Sequence, residues 1–538
     1  MVRLNKIVLL IICVSMLVLS LQNSCVWANF KPAPFPAVRI LSSGEVSPSS
    51  ALISRNGNIY TFTGNWTTCV LEVERSNIVI DGAGFFIVGN GVGQGIVFHD
   101  VDNVSVLNVN IVDVNSGIYI EKCSDTTVSS CSIMGGNNGI YLNNSKNSKI
   151  TNNHLFSVYN GLFLDHSNNN ILRNNSIENS HQYGYGLDFM VTGITLADYT
   201  NDVDASNHVN GGSIIYWVNR QNEIVPSDAS YVALINCKGI TVQNLHISKT
   251  QGILVAWTKN STIAHNYLDK NHIGIQVLYS SEIVINENEI WHNTGFEEGG
   301  DGINIAFSQF ITVSNNKLTD NHNGGVTCSN SSRNLLIGNR IGLNNYNGIN
   351  LVNNSDFNLV TLNKFFNHST MSRGAVLIED SRNNTLVAND FTHNGCWAIQ
   401  LRGTQANNLI YLNNFINNSY YNTRSNSQAL QVSTPGTTNG NSWDNGLIGN
   451  YWSDYKGVDT NNDGTGDTPY YINPTNQDNY PLTSPVTTSQ TAKLTSELTT
   501  AVFSSQPPFK QLSLIAIAVS FAALIVGGTL VYLKKRKR

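Results

Sequence analysis

Charge is scarce in this chain, and no long apolar run lies between its two ends. Charged residues make up 12% of the 538 and their formal balance is −5, so there is no basic field to hold nucleic acid, and that partner class is excluded. Asp-Asp and Cys-x-x-Cys do not occur, which removes the simplest paired-aspartate and dithiol signatures. Eight cysteines in so long a chain do not make a small disulfide scaffold. Cys123 and Cys131 can be read as a bridge or as small apolar residues in adjacent parts of one coil. Prolines gather towards the ends. Asparagine and 43 glycines fill the middle, the composition of a chain that turns often.

The ends read as addresses. Arg3 and Lys6 precede an apolar run, Ile7 to Leu21, so 1–28 reads as a secretory signal peptide. Residues 511–533 are almost wholly apolar and are followed by the basic tail 534–538. That length crosses a bilayer as a transmembrane helix, and the basic tail stays cytoplasmic, leaving the bulk of the chain outside the cell. The expected location is the cell surface, single-pass and membrane-anchored. Ten N-x-S/T sequons from Asn65 to Asn417 fit a glycosylated exterior.

Self-similarity dominates the interior. Residues 147–164 (NSKITNNHLFSVYNGLFL), 260–277 (NSTIAHNYLDKNHIGIQV) and 333–351 (RNLLIGNRIGLNNYNGINL) share one template. Each unit holds three short alternating apolar runs separated by Asn, Gly or Ser, which predicts three strands per coil. The fold class is therefore all-β, a right-handed parallel β-helix of about 13 coils stacked about 4.8 Å apart. The frame N-x-h-x-x-N recurs at Asn266 and Asn271, Asn288 and Asn293, and Asn316 and Asn321. Stacked turn asparagines can pair amide to amide and tolerate left-handed backbone. The expected order is an N-terminal cap (29–75), the coils (76–430) with an excursion at 190–230, a closing module (431–482) and a Thr/Ser-rich stalk (483–510).

The repeats, the segments Asn207-His208-Val209-Asn210-Gly211 and Val225-Pro226-Ser227-Asp228-Ala229, and the closing Gly449-Asn450-Tyr451-Trp452-Ser453-Asp454-Tyr455 resemble the NosD-type β-helix family over about Ser76 to Leu482. Gly212-Ser213 stands where that pattern has Lys-Pro. The resemblance implies kinship with carbohydrate-binding proteins and sugar hydrolases, a type carried by many archaeal surface proteins, and, from founding members, copper-site assembly. With five methionines and no soft-ligand cluster, copper is not an expected cofactor here.

Several constellations could carry chemistry. Asp459, Asn461, Asp463, Thr465 and Asp467, with Gly464 at the sixth position, match a calcium loop. Tyr470 replaces the bidentate Glu, so Asp478 would have to fold back, or the loop is a turn without metal. His272, His292, His322 and His393 form a series near Trp291 and the long turn holding Glu297, Glu298 and Asp301. That grouping suits a sugar or a divalent ion, and equally a solvated turn column. Asp188, in Tyr185-Gly186-Leu187-Asp188, resembles the start of a uronate epimerase signature but lacks its Pro and His. The reading is a non-catalytic surface protein binding a polysaccharide or other glycan, or neighbouring envelope components. The alternatives are a polysaccharide lyase, epimerase or hydrolase using Asp188, Glu297, Glu298 or Asp301, and a copper-handling accessory protein.

Overall fold

The computed structural model describes residues 37–487 apart from 68–69, 179–186, 296–298, 369–373, 396, 405, 419–429 and 435–439. The leader 1–28, Glu297, Glu298, the stalk from 488, the apolar segment 511–533 and the tail 534–538 lie outside the described residues. Among the described residues no helix is long and apolar enough to cross a membrane.

The chain is an all-β parallel solenoid of about 15 turns, more than the 13 read from the repeats. One reason is that the first described residues already coil. Ala37–Ile40, Ile59–Phe62 and Trp66–Thr67 pair in parallel with Val70–Val73, Ile78–Asp81 and Phe86–Val88, one strand on each of three sheets.

Asparagine does two separate jobs. Corners are turned by single residues with φ near +50°, such as Asn244, Asn315, Asn367 and Asn417, a conformation that asparagine tolerates better than most L-residues. The N-x-h-x-x-N asparagines are a different set, inside the coil. The Asn266 side-chain amide donates to Asn288 (2.9 Å), Asn288 to Asn316 (2.9 Å), Asn316 to Asn339 (3.0 Å) and Asn339 to Asn363 (2.9 Å). The same amides also donate to buried strand carbonyls, as Asn339 does to Val313 (2.8 Å). The ladder therefore satisfies backbone groups that the turns leave over. A second interior column, Asn293–Asn321–Asn344, continues in the next coil with His368, fully buried, its ring nitrogens without a well-formed hydrogen bond among the described residues. Burial lowers its pKa to about 4. Cys123 and Cys131 are free and buried, their thiols pushed up to about 11 by burial, which settles them as small apolar residues.

The interruption around 190–230 is a junction between two stacks. Leu187–Thr192, Asp202–Val203 and His208–Val209 complete the last N-terminal coil. The chain then reverses through Asn210 and Gly211, both at positive φ, an Asn-Gly hairpin turn, and Gly212–Val218 pairs antiparallel with His208–Val209. From there Gly212–Val218, Ala229–Ile235 and Ile253–Ala256 begin the first sheet of the C-terminal half. These strands are buried on both faces. Ile214, Tyr216, Tyr231, Ala233 and Leu254 join the N-terminal core, while Ile215, Val232, Leu234, Ile253 and Val255 join the C-terminal core. Two-sided burial is why Tyr231-Val232-Ala233-Leu234-Ile235 is continuously apolar instead of alternating. Gln251 locks the joint: it accepts from the Val191 N–H (3.2 Å) and donates to the Val191 carbonyl (3.0 Å).

At the far end an interior stack of Phe365, Phe391 and Phe415 runs on into Trp452 and Tyr470. Trp443 and Trp452 are buried beneath the closing residues.

Candidate ligand-binding face

The face that buries Tyr216, Ala233 and Leu254 against the N-terminal half does not end at the junction. In register beyond Leu254 come Gln276, Asn304, Thr327, Asn350, Leu377 and Gln400. Strand alternation turns these side chains outward while Ile275, Ile303, Val326 and Ile349 fill the core. Apart from Leu377, every rung is polar.

Asp301 stands just before the strand Ile303–Ala306 and organises the row. Its Oδ1 accepts from the Gly324 N–H (2.9 Å) and the Thr327 hydroxyl (3.1 Å), and its Oδ2 from the Asn304 amide (3.0 Å). Asn350 donates to Thr327 (3.0 Å) and Asn347 donates to Asn350; Gln251 links the row to the junction through Gln276 (3.4 Å). Gln276, Asn304 and Thr327 are half-buried, whereas Asp301 is 1% exposed and Gln400 4%. Burial pushes the Asp301 carboxyl up to about 6 against these three hydrogen bonds. Two buried acceptors, Gln400 Oε1 in the row and Asn347 Oδ1 beside it, have no donor among the described residues.

Of the residues singled out in the sequence, His272, Asp301 and His322 share this turn region. A methyl group on Gly299 would lie 2.3 Å from His272 Cε1, and one on Gly300 would lie 2.9 Å from His322 Cβ. The two glycines therefore thread between the histidines. His272, Thr294 and His322 follow Asn271, Asn293 and Asn321 in successive coils, which places the backbones of the two histidines two coils apart, about 9.6 Å. Burial lowers His272 to about 4.

The four-histidine series is not one column, because corners two residues apart along the chain stack separately. His292 and His393 follow the third-sheet strands Glu289–Trp291 and Asp390–Thr392 and sit at φ +50° and +53°. Trp291 lies beside His292, ring centroids 4.1 Å apart, and edge-on to Tyr267 at 5.9 Å. Asp188 belongs to the last N-terminal coil, where it is fully buried and accepts from Asn210 of the hairpin.

Asp459, Asn461, Asp463, Thr465 and Asp467 form an exposed loop whose carboxylates accept from its own backbone. Asp459 takes the N–H groups of Asp463 and Gly464, and Asp463 that of Thr465. Asp478 does not fold back to it: it is fully buried and accepts from Trp452 Nε1 (2.9 Å) and the Asn450 N–H (2.7 Å). Among the described residues no group of three or more His, Cys, Asp or Glu is placed to hold a metal ion.

The family model described as periplasmic copper-binding protein (NosD) matches residues 76–224, 195–373 and 369–457. The chain belongs to the NosD family. No curated protein sequence matches it. Among solved structures it is similar to the periplasmic alginate epimerase AlgG, at 13% identity over 74% of this chain and 82% of that one, with a TM-score of 0.27. It is also similar to a DFA-IIIase from Arthrobacter chlorophenolicus A6 (13%, 63% and 84%, 0.33) and to the Dettilon tailspike protein gp208 (14%, 70% and 60%, 0.31). At these values nothing about activity follows from the likeness.

Copper is the metal that the NosD family's description names, and the described cysteines do not fit it. The four described cysteines are each enclosed in the coil, and burial keeps Cys123, Cys131, Cys237 and Cys328 above their ordinary thiol range. A thiol held protonated is a poor Cu(I) ligand.

The row from Gln276 to Gln400 was missed in the sequence, although a signal existed. Single polar residues at one alternate position of successive first-sheet strands (IQVL, INIA, VTCS, INLV) mark an outward column.

Proposed function

We propose that this NosD-family protein binds a polysaccharide along the outer face of the first sheet of its C-terminal half. The observation that carries the reading is the row Gln276–Asn304–Thr327–Asn350–Gln400 with Asp301, and in particular the acceptors Asn347 Oδ1 and Gln400 Oε1, which have no donor among the described residues. Buried acceptors without donors are rare, and sugar hydroxyls supply donors. Amides and hydroxyls on all but one of the successive coils suit a linear chain of similar sugars, which meets like chemistry at most steps. In this reading the leader exports the chain, 511–533 anchors it, and the solenoid works at the cell surface.

The test is retention of the full-length protein on a panel of immobilised polysaccharides. Gln400→Ala and Asn350→Ala should each weaken the strongest retention at least about tenfold, the cost of about one good hydrogen bond to a desolvated group. Equal retention by both variants would remove the row from the reading.

A second reading is favoured by one observation. The Asp301 carboxyl, raised to about 6, can carry a proton close to neutrality, as a general acid must. That reading makes the protein a polysaccharide lyase, epimerase or hydrolase. Release of reducing or unsaturated ends by the wild type, lost in Asp301→Asn, would favour it over binding alone.

A further inference from the structure

The third sheet of the C-terminal half carries a different row. Glu289, Lys317, Arg340, Lys364 and Asp390 open five consecutive strands and stand in register. Three cations side by side on neighbouring strands repel one another, and the surrounding protein is sparsely charged and net acidic. Lys317 reaches Glu289 at 3.6 Å. Among the described residues neither Arg340 nor Lys364 forms an ion pair with a carboxylate, although Asp390 stands next to Lys364 in register.

Arg340 is not loose. Its guanidinium carbon lies 4.1 Å from the centroid of the Phe366 ring. That ring in turn lies across Gly342, where a Cβ would come within 2.6 Å of Phe366 Cε2 and Cζ. Glycine makes the shelf, phenylalanine forms it, and arginine rests on it. A guanidinium stacked on a ring keeps its N–H edges free and loses little freedom when it meets a planar carboxylate.

We propose that Arg340, stacked on Phe366 and flanked by Lys317 and Lys364, reads the carboxylates of an anionic polysaccharide such as a polyuronate. The inference rests on the glycan reading above, names the class of glycan, and adds the third-sheet row as a contact face separate from the first-sheet row. One cation per coil, about 4.8 Å apart, faces a linear polymer carrying one carboxylate per sugar. Nucleic acid is disfavoured by the net charge of −5.

The full-length protein should be retained on polygalacturonate, and retention should fall as salt rises between about 50 and 200 mM. Arg340→Glu and Lys364→Glu should each weaken it about tenfold with the melting temperature unchanged; Arg340→Gln serves if the reversal does not fold. Phe366→Leu leaves every charge in place and should still weaken retention several-fold, because it removes the shelf. Equal retention of the fully methyl-esterified polymer, or of a single-stranded oligonucleotide, would overturn the carboxylate reading. If neutral glycans are held and polygalacturonate is not, this inference fails and the glycan reading stands; if neither is held, both fail.

Discussion

The two halves of the solenoid obey the same backbone rule with different residues. In the N-terminal half, the positive-φ corners are mostly small or polar: Asn103, Asp113, Lys122, Ser130, Asn144, His166. In the C-terminal half, Trp257, Tyr279, Phe307, Leu343 and Phe357 take the same conformation, where bulky side chains are disfavoured. Trp257, Tyr279 and Phe307 stack face to face, centroids 4.5 and 5.0 Å apart, and Trp257 reaches Tyr199 of the N-terminal half at 5.5 Å. Trp257 and Tyr279 pack against the N-terminal core. Backbone preference is overridden at the corner that seals the junction.

Coil length separates the middle of the N-terminal half from the rest. Between Gln94 and Ser176 the coils repeat every 22 residues, but 26 separate Ile78 from Val104 and 31 separate Asn170 from Asn201, and C-terminal coils measure 21, 22, 28, 23, 24, 26 and 24 residues. Within the C-terminal half the first-sheet strands from Ile253–Ala256 to Ile399–Arg402 are all four residues and the third-sheet strands three, so most added residues enter the turns from third to first sheet, beside Asp301 and its row. Insertions crowded on one side of a solenoid mark the side where contacts are made.

The largest contrast lies within the interior amide ladder, which runs through both halves: Asn153, Asn175 and Asn207 form it in the N-terminal half, and Cys131 takes its place one coil earlier. Asn339→Ala would strand the Val313 carbonyl and the Asn316 amide and should cost about 4 kcal/mol, measured by denaturant unfolding. Cys131→Ala, at the same interior position in the N-terminal half, loses only a small apolar group and should cost about 1 kcal/mol. Equal costs would mean that the ladder is incidental.

Next comes pH. A carboxyl raised to about 6 in the folded state, as in Asp301 and Asp478, binds its proton more tightly than the unfolded chain does. Its contribution therefore falls as pH rises from about 4 to 6. A histidine lowered to about 4, as in His272 and His368, gives the opposite slope, stability rising from about pH 4 to 6.5. The pairs nearly cancel, so wild-type stability should be flat there. Asp301→Asn should tilt the profile upward with pH by on the order of 3 kcal/mol, and His368→Asn, which also restores an amide to the ladder, should tilt it downward. Parallel profiles in all three proteins would contradict this.

Gln251→Ala leaves both Val191 backbone groups unpaired at the junction. It should cost about 2 kcal/mol and split thermal unfolding into two transitions, one for each half. Smallest is Leu343→Asn, which replaces an exposed leucine at φ +59° and should stabilise the protein by about 1 kcal/mol.

Fold legibility followed the same divide. Period and alternation in segments such as Ile150 to Leu164 were enough to place strands, because each side chain there answers only to the coil above and below. The junction was read as an excursion because Tyr216 and Leu254 answer to a second stack that no local period encodes. The histidines were read as one column because sequence offset alone does not separate two corners two residues apart. Asp301 was legible as a carboxylate in a long turn, but its three hydrogen-bond donors come from residues up to 26 positions away.

The central claim is that ligand lies along the first-sheet face beside Asp301. Hydrogen–deuterium exchange of the full-length protein, with and without the polysaccharide it retains most strongly, tests it directly. Slower exchange should appear in the turns 320–325 and 343–348, with the N-terminal turns unchanged; protection confined to the N-terminal half would contradict it.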